Sequence, residues 1–166
     1  MKKTLTALLA TIAFSTHAAD FLSSSHNWND GSSVYGKQKV AYHINYDNAK
    51  RQGGALRNAQ NHINAVGAEN LDLRVIMHGK GLSMLLLPEE AAHTKLPQGN
   101  ATDKQQAAIE NLKKQGVTFK VCANTLKGKK IDIDQLYDAE AASDVVPSGV
   151  AELAKLQAKG FSYLRP

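Results

Sequence analysis

The residues best suited to chemistry in this sequence are its lone cysteine, Cys122, and two of its six histidines, His43 and His78. A thiolate is a strong nucleophile, and a neutral imidazole can take the proton that a thiol must lose. Each of the three closes an apolar, β-rich run: His43 with Asn45 closes residues 39–45, His78 with Gly79 follows residues 71–77, and Cys122 with Asn124 closes residues 117–123. Ser148 opens the last helical stretch in the same way. If the first three strands are neighbours in a sheet, His43, His78 and Cys122 share one crevice, where Cys122 is the expected nucleophile and the histidines move its proton. Asn45, Asn124 and Ser148 are then expected to orient the bound group. Lys127, with Lys129 and Lys130, is expected to contact it from a loop that lowers the thiol pKa.

The same three side chains are soft nitrogen and sulfur donors suited to zinc or copper, so a non-catalytic metal- or small-ligand-binding module is the alternative, although no spacing motif supports it. A purely structural oligomer component is a third reading. One cysteine forms no internal disulfide and offers no resolving thiol. The segment from His78 to Met84 starts like a dinucleotide fingerprint, but Met84 stands where the third glycine belongs. Gly53 and Gly54 lack the Gly-Lys-Ser/Thr ending of a phosphate-binding loop, and neither G-x-S-x-G nor H-E-x-x-H occurs. No cofactor is therefore expected.

The elements that must position these residues alternate. A helical pattern over residues 52–66 places Ala55, Leu56, Ala59, Ile63 and Val66 on one face. Gly67 stops it before the strand at 71–77, and Gly116 and Gly160 repeat this helix-stop-strand joint before 117–123 and 161–164. Thr102 with Gln105 reads as a capping box for a helix to Gln115, and Ser148 caps a helix striped by Val150, Leu153, Ala154 and Gln157. Residues 144–147 are a candidate further strand. Such alternation predicts an α/β fold with a mostly parallel sheet and helices on both faces, with ligands at the carboxyl ends of the strands. In the strand 71–77, Leu71, Leu73, Val75 and Met77 should fill one face and Ile76 the other, with Asp72 and Arg74 near water. The run from Leu82 to Leu87 is expected to cover a subunit interface.

The chain has 166 residues, 43% hydrophobic and 21% charged, which suits one folded domain and excludes a disordered or collagen-like chain. Residues 1–18 read as a secretory signal peptide, with Lys2 and Lys3 before a short apolar run and small residues before the cut; a periplasmic destination is expected. Its removal takes Lys2 and Lys3 and lowers the net charge from +5 to +3, and the cluster of Lys127, Lys129 and Lys130 lacks aromatics, so no nucleic-acid partner is expected. No later stretch suits a membrane span. Residues 19–38 are polar, with Trp28 the only tryptophan, and read as an extended arm whose indole packs on this domain or on a neighbouring subunit.

Taken together, residues 39–67, 71–85, 116–132 and 145–166 resemble the DsrE/DsrF-like family, and the likeness covers the domain at 39–166. The strand-final cysteine, the Asn-Thr-Leu after it and the Val-Pro-Ser-Gly-Val-Ala-Glu-Leu ending occur in one order. The resemblance implies a flavodoxin-like or Rossmann-like sheet and a homo-oligomer (dimer, trimer or hexamer). In sulfur-relay members it implies a persulfide on the cysteine matching Cys122, exchanged with a sulfur donor or acceptor protein or a small sulfur compound. The expected export sets this chain apart from the relay members, which act in the cytoplasm.

Overall fold

The computed structural model describes residues 34–166, so the expected signal peptide and the arm up to residue 33, Trp28 included, lie outside the described residues. The β-rich runs form β1 (Gln38–Ile44), β2 (Leu71–Met77), β3 (Thr118–Cys122), β4 (Val145–Val146) and β5 (Ser162–Leu164). They make one sheet in the order β4-β3-β2-β1-β5, and every pairing is parallel. Parallel neighbours need crossovers. These are supplied by α1 (Ala49–Val66), α2 (Asp103–Lys114), α3 (Ala123–Lys129), the single turn α4 (Ala141–Asp144) and α5 (Gly149–Ala158). The α/β class, the parallel sheet and the strand at 71–77 are as the sequence predicts.

Strand side chains alternate between the two sheet faces, and this decides what each face buries. Val40, Tyr42, Ile44, Leu73, Val75, Met77, Phe119 and Val121 point to one face, where Leu56 and Ile63 of α1 and Ile109 and Leu112 of α2 complete the larger core. Burying one such side chain stabilises the fold by roughly 1.5–3 kcal/mol, so this face carries most of the hydrophobic stabilisation. The other face has a small cluster of Ala41, Ile76, Leu153, Leu156 and Phe161 beneath α5. Asp72 and Arg74 pair at 2.9 Å while 40% and 35% exposed, as expected of charges at a strand start.

Gly67, Gly116 and Gly160 have φ of 86°, 91° and 84°, the backbone turn that ends a helix and admits glycine far more easily than other residues. Three sequence expectations fail. Residues 82–87 do not form a surface patch: Leu82, Met84, Leu85 and Leu86 are at most 1% exposed within the chain itself. Gly79–Met84 forms a 3₁₀ segment, and Gly81 lies so close to the Ile44 carbonyl that a Cβ there would overlap it. The α5 stripe is also misplaced: Val150 is 64% exposed, and Gly149, Leu153 and Leu156 face inward. Thr102 precedes α2 without a side-chain cap; its carbonyl instead accepts from the Gln105 and Gln106 amides at 2.7 and 2.8 Å. Ser148 does cap α5, accepting from the Ala151 amide at 3.3 Å.

Candidate functional site

The order β3-β2-β1 makes the three strands that end in Cys122, His78 and His43 consecutive neighbours. Alternation adds a second constraint. His43 shares its face with Ala41, His78 with Ile76, and Cys122 lies opposite in parity to Val121, so all three occupy the face covered by α5. The sequence therefore places one imidazole beside another and the thiol one strand further on.

His43 Nε2 and His78 Nε2 are 2.6 Å apart, with the rings stacked at a centroid distance of 4.7 Å. His43 Nδ1 is 2.6 Å from the Tyr163 hydroxyl of β5. Burial, then the charges of His78 and Arg165, hold the His43 pKa down from 6.5 to about 4, and burial lowers that of His78. Both rings are thus neutral at pH 7. Two neutral imidazoles in contact at this distance share one proton between the facing nitrogens. If the Tyr163 phenol donates to His43 Nδ1, His43 must donate from Nε2 to His78 Nε2, which leaves the His78 proton on Nδ1.

Gly149 joins the histidine pair to the thiol. A Cβ at Gly149 would stand 3.0 Å from His78 Cβ, 3.3 Å from His78 Cδ2 and 3.4 Å from Cys122 Cβ. The amino terminus of α5 thus rests on both residues, and only a glycine lets it come so near. Cys122 is 5% exposed and occupies the N-cap position of α3. Burial raises its pKa, but hydrogen bonds from the Gly149 amide, the Thr125 hydroxyl and the Thr125 and Asn124 amides outweigh this and hold the thiol below its usual 9.0. The Thr125 hydroxyl also accepts from the Gly79 amide at 2.9 Å, tying the loop after β2 to the turn after β3.

Of the residues singled out from sequence, His43 and His78 are joined directly, and Cys122 meets His78 through Gly149. Asn124 supplies its amide to the thiol from the first turn of α3. Ser148 caps α5 one residue before Gly149. Asn45 is held by Arg165, accepting from Nε and Nη2 at 3.0 and 2.7 Å, on the side of His43 away from the cysteine. Lys127 is a correction: with Lys129 it lies in the last turn of α3, and Lys130 caps that helix. The segment after Cys122 folds into a helix rather than a loop, so these cations complement its negative end and do not set the thiol pKa. A metal centre on His43, His78 and Cys122 is not formed either, since among the described residues no group of three or more such side chains could hold an ion.

Tyr163, Thr125 and Gly149 were not singled out from sequence. A strand-borne tyrosine in register with Ala41, one same-face position before His43, is a usable signal only once β5 is known to pair with β1. Gly149, directly after a helix-capping serine, is the one that spacing alone could have marked.

A five-stranded parallel sheet with a polar cluster at its carboxyl edge defines an α/β protein whose site lies where adjacent strands end. The chain belongs to the DsrE/DsrF-like family, whose family model matches residues 38–166. It is similar to the structure of a protein of unknown function, MTH1491, from Methanobacterium thermoautotrophicum, with 26% identity and a TM-score of 0.61 over 78% of this chain and 100% of that one. The ychN protein from E. coli shares the fold, at 19% identity and a TM-score of 0.53 over 78% of this chain and 97% of the other. No curated protein matches the chain. Among the described residues no helix is long and apolar enough to cross a membrane.

Proposed function

We propose that this protein is an exported sulfur carrier in which Cys122 accepts and releases sulfane sulfur as a persulfide. The observation that carries this reading is the thiol at the end of β3, held toward its thiolate form by Gly149, Thr125 and Asn124 and flanked by a neutral histidine pair. In the reaction the Cys122 thiolate attacks the outer sulfur of a donor persulfide. A new sulfur–sulfur bond forms at Cys122, the donor's own sulfur–sulfur bond breaks, and the donor thiolate leaves with the electron pair. No oxidant is consumed. The thiol proton passes to His78 when the pair takes the opposite tautomer, with His78 donating from Nε2 to His43 Nε2, His43 donating from Nδ1 to the Tyr163 hydroxyl and His78 Nδ1 free to accept, and it moves along these contacts toward the partly open edge at β5. With no second cysteine in the chain, release requires an acceptor thiol on another molecule.

The signal-like residues 1–18 support export to the periplasm, and membership of the family supports a homo-oligomer. The test is mass: after exposure to polysulfide or thiosulfate the protein should gain one sulfur, about 32 Da, and Cys122→Ser should gain none. A wild-type protein that gains no sulfur at any pH would rule the carrier reading out.

A further inference from the structure

A groove of about 400 Å³ runs between α1 and α2, on the sheet face opposite the cysteine. Its floor is apolar, formed by Leu56, Ala108 and Leu112, and Gly53 contributes no side chain to fill it. Three exposed cations, Lys50, Arg57 and Lys104, stand around it, and none has a salt-bridge partner among the described residues. The Gln105 amide nitrogen is buried on the same wall and has no hydrogen-bond partner among the described residues. An apolar trough with a positive rim and an unsatisfied donor suits an acidic segment that carries a large hydrophobic side chain.

The chain itself contains such a segment. Residues 20–30 hold Asp20, Phe21, Leu22, Trp28 and Asp30, and no lysine or arginine. We propose that residues 20–30 dock in the groove between α1 and α2, with the Trp28 indole on the Leu56 and Leu112 floor and Asp20 and Asp30 against the cations. The described chain enters the sheet beside α1, where Gln38 Oε1 accepts from His62 Nε2 at 2.8 Å. Nine residues lie between Trp28 and Gln38, and the ten steps from one to the other can span about 33 Å. That exceeds the helix diameter of about 10 Å which the arm must cross. A second open groove, beside Leu164 and His62, has Arg165 as its one cation among the described residues, and Asn45 already holds it. Charge therefore favours the groove between α1 and α2.

Trp28 is the only tryptophan, so its fluorescence reports on the arm directly. In the chain from Ala19 onward, Trp28 emission should be blue-shifted, shielded from acrylamide and independent of protein concentration. Arg57→Glu with Lys104→Glu should shift it to the red and raise quenching several-fold without changing the far-UV circular dichroism. Adding Asp20→Lys and Asp30→Lys to that variant should restore the shielding. Solvent-like emission in the native chain would overturn the proposal, as would shielding that the groove variant leaves unmoved. Shielding lost on dilution would also overturn it, because the indole would then rest on a second copy.

Discussion

His43 on β1 and His78 after β2 share a hydrogen bond of 2.6 Å between their Nε2 atoms, although both imidazoles are neutral near pH 7. The contact exists because parallel neighbours put His43 opposite Ile76, so the next same-face position on β2 is His78. A shared proton between neutral rings is a sensitive arrangement, since protonating either ring places a charge where burial opposes it.

Stability should therefore depend on pH. The unfolded histidine titrates near 6.5 and the folded His43 near 4, so between these values the unfolded chain binds more protons. The stabilisation is complete above about pH 6.5 and is lost as pH falls toward 4, with an upper bound of about 3 kcal/mol that solvent screening reduces. Urea midpoints at pH 7.5, 5.5 and 4.5 should fall in that order, and His43→Gln should flatten the decline. A wild-type midpoint that falls no more steeply than the variant's counts against the paired, neutral histidines.

Gly149→Ala should cost about 1 kcal/mol, because the new methyl meets His78 and Cys122 at 3.0–3.4 Å and forces α5 outward. The same change should raise the Cys122 pKa by withdrawing the Gly149 amide. Equilibrium unfolding gives the first quantity and the pH dependence of iodoacetamide labelling gives the second. An unchanged labelling profile would show that this amide does not hold the thiolate.

Thr125→Val should raise the apparent pKa of Cys122 labelling, since the Thr125 hydroxyl is one of the groups that hold the thiolate. Replacing Lys127, Lys129 and Lys130 together with glutamine should leave it where it is. The opposite pattern, with the lysines dominant, would mean that the end of α3 lies nearer the thiol than the structure places it.

Tyr163→Phe removes the hydroxyl that fixes the His43 tautomer. Nitrogen-15 NMR should then show His43 and His78 exchanging between tautomers, and sulfur loading of Cys122 near neutral pH should slow several-fold. Tyr163 is 41% exposed, so stability should change by no more than about 1 kcal/mol. An unchanged tautomer signature would place the phenol outside the proton route.

Much of this arrangement is legible in the sequence. Leu71, Leu73, Val75 and Met77 alternate cleanly, and the helix-stopping glycines Gly67, Gly116 and Gly160 mark where β2, β3 and β5 begin, so strand direction and the common edge of His43, His78 and Cys122 follow. What fails does so for local reasons. Residues 123–129 include Asn, Thr and Gly, poor helix formers whose helix depends on packing that a sequence window does not contain, so Lys127 reads as loop. In α5 the inward positions are Gly149, Leu153 and Leu156. A glycine that faces inward because a helix must sit close cannot be read as part of an apolar stripe, and Val150 then takes its place. The run from Leu82 to Leu87 is apolar enough for an interface, and only the folded chain reveals that it lies under its own buried network. There Asn100 Nδ2 donates to Gln52 Oε1 at 2.8 Å and to Ser83 Oγ at 3.3 Å.

The two sheet faces are held very unequally, and the thiol lies under the weaker cover. α5 is anchored through a cluster of only five side chains, whereas α1 and α2 share the large core on the other side. Such a helix belongs to the least protected cooperative unit of a domain, so its amides should exchange with deuterium well before those of β1 and β2. Cys122, shielded when that unit is closed, is then uncovered through a sub-global opening that leaves the rest of the protein folded, which is the opening the proposed sulfur exchange requires.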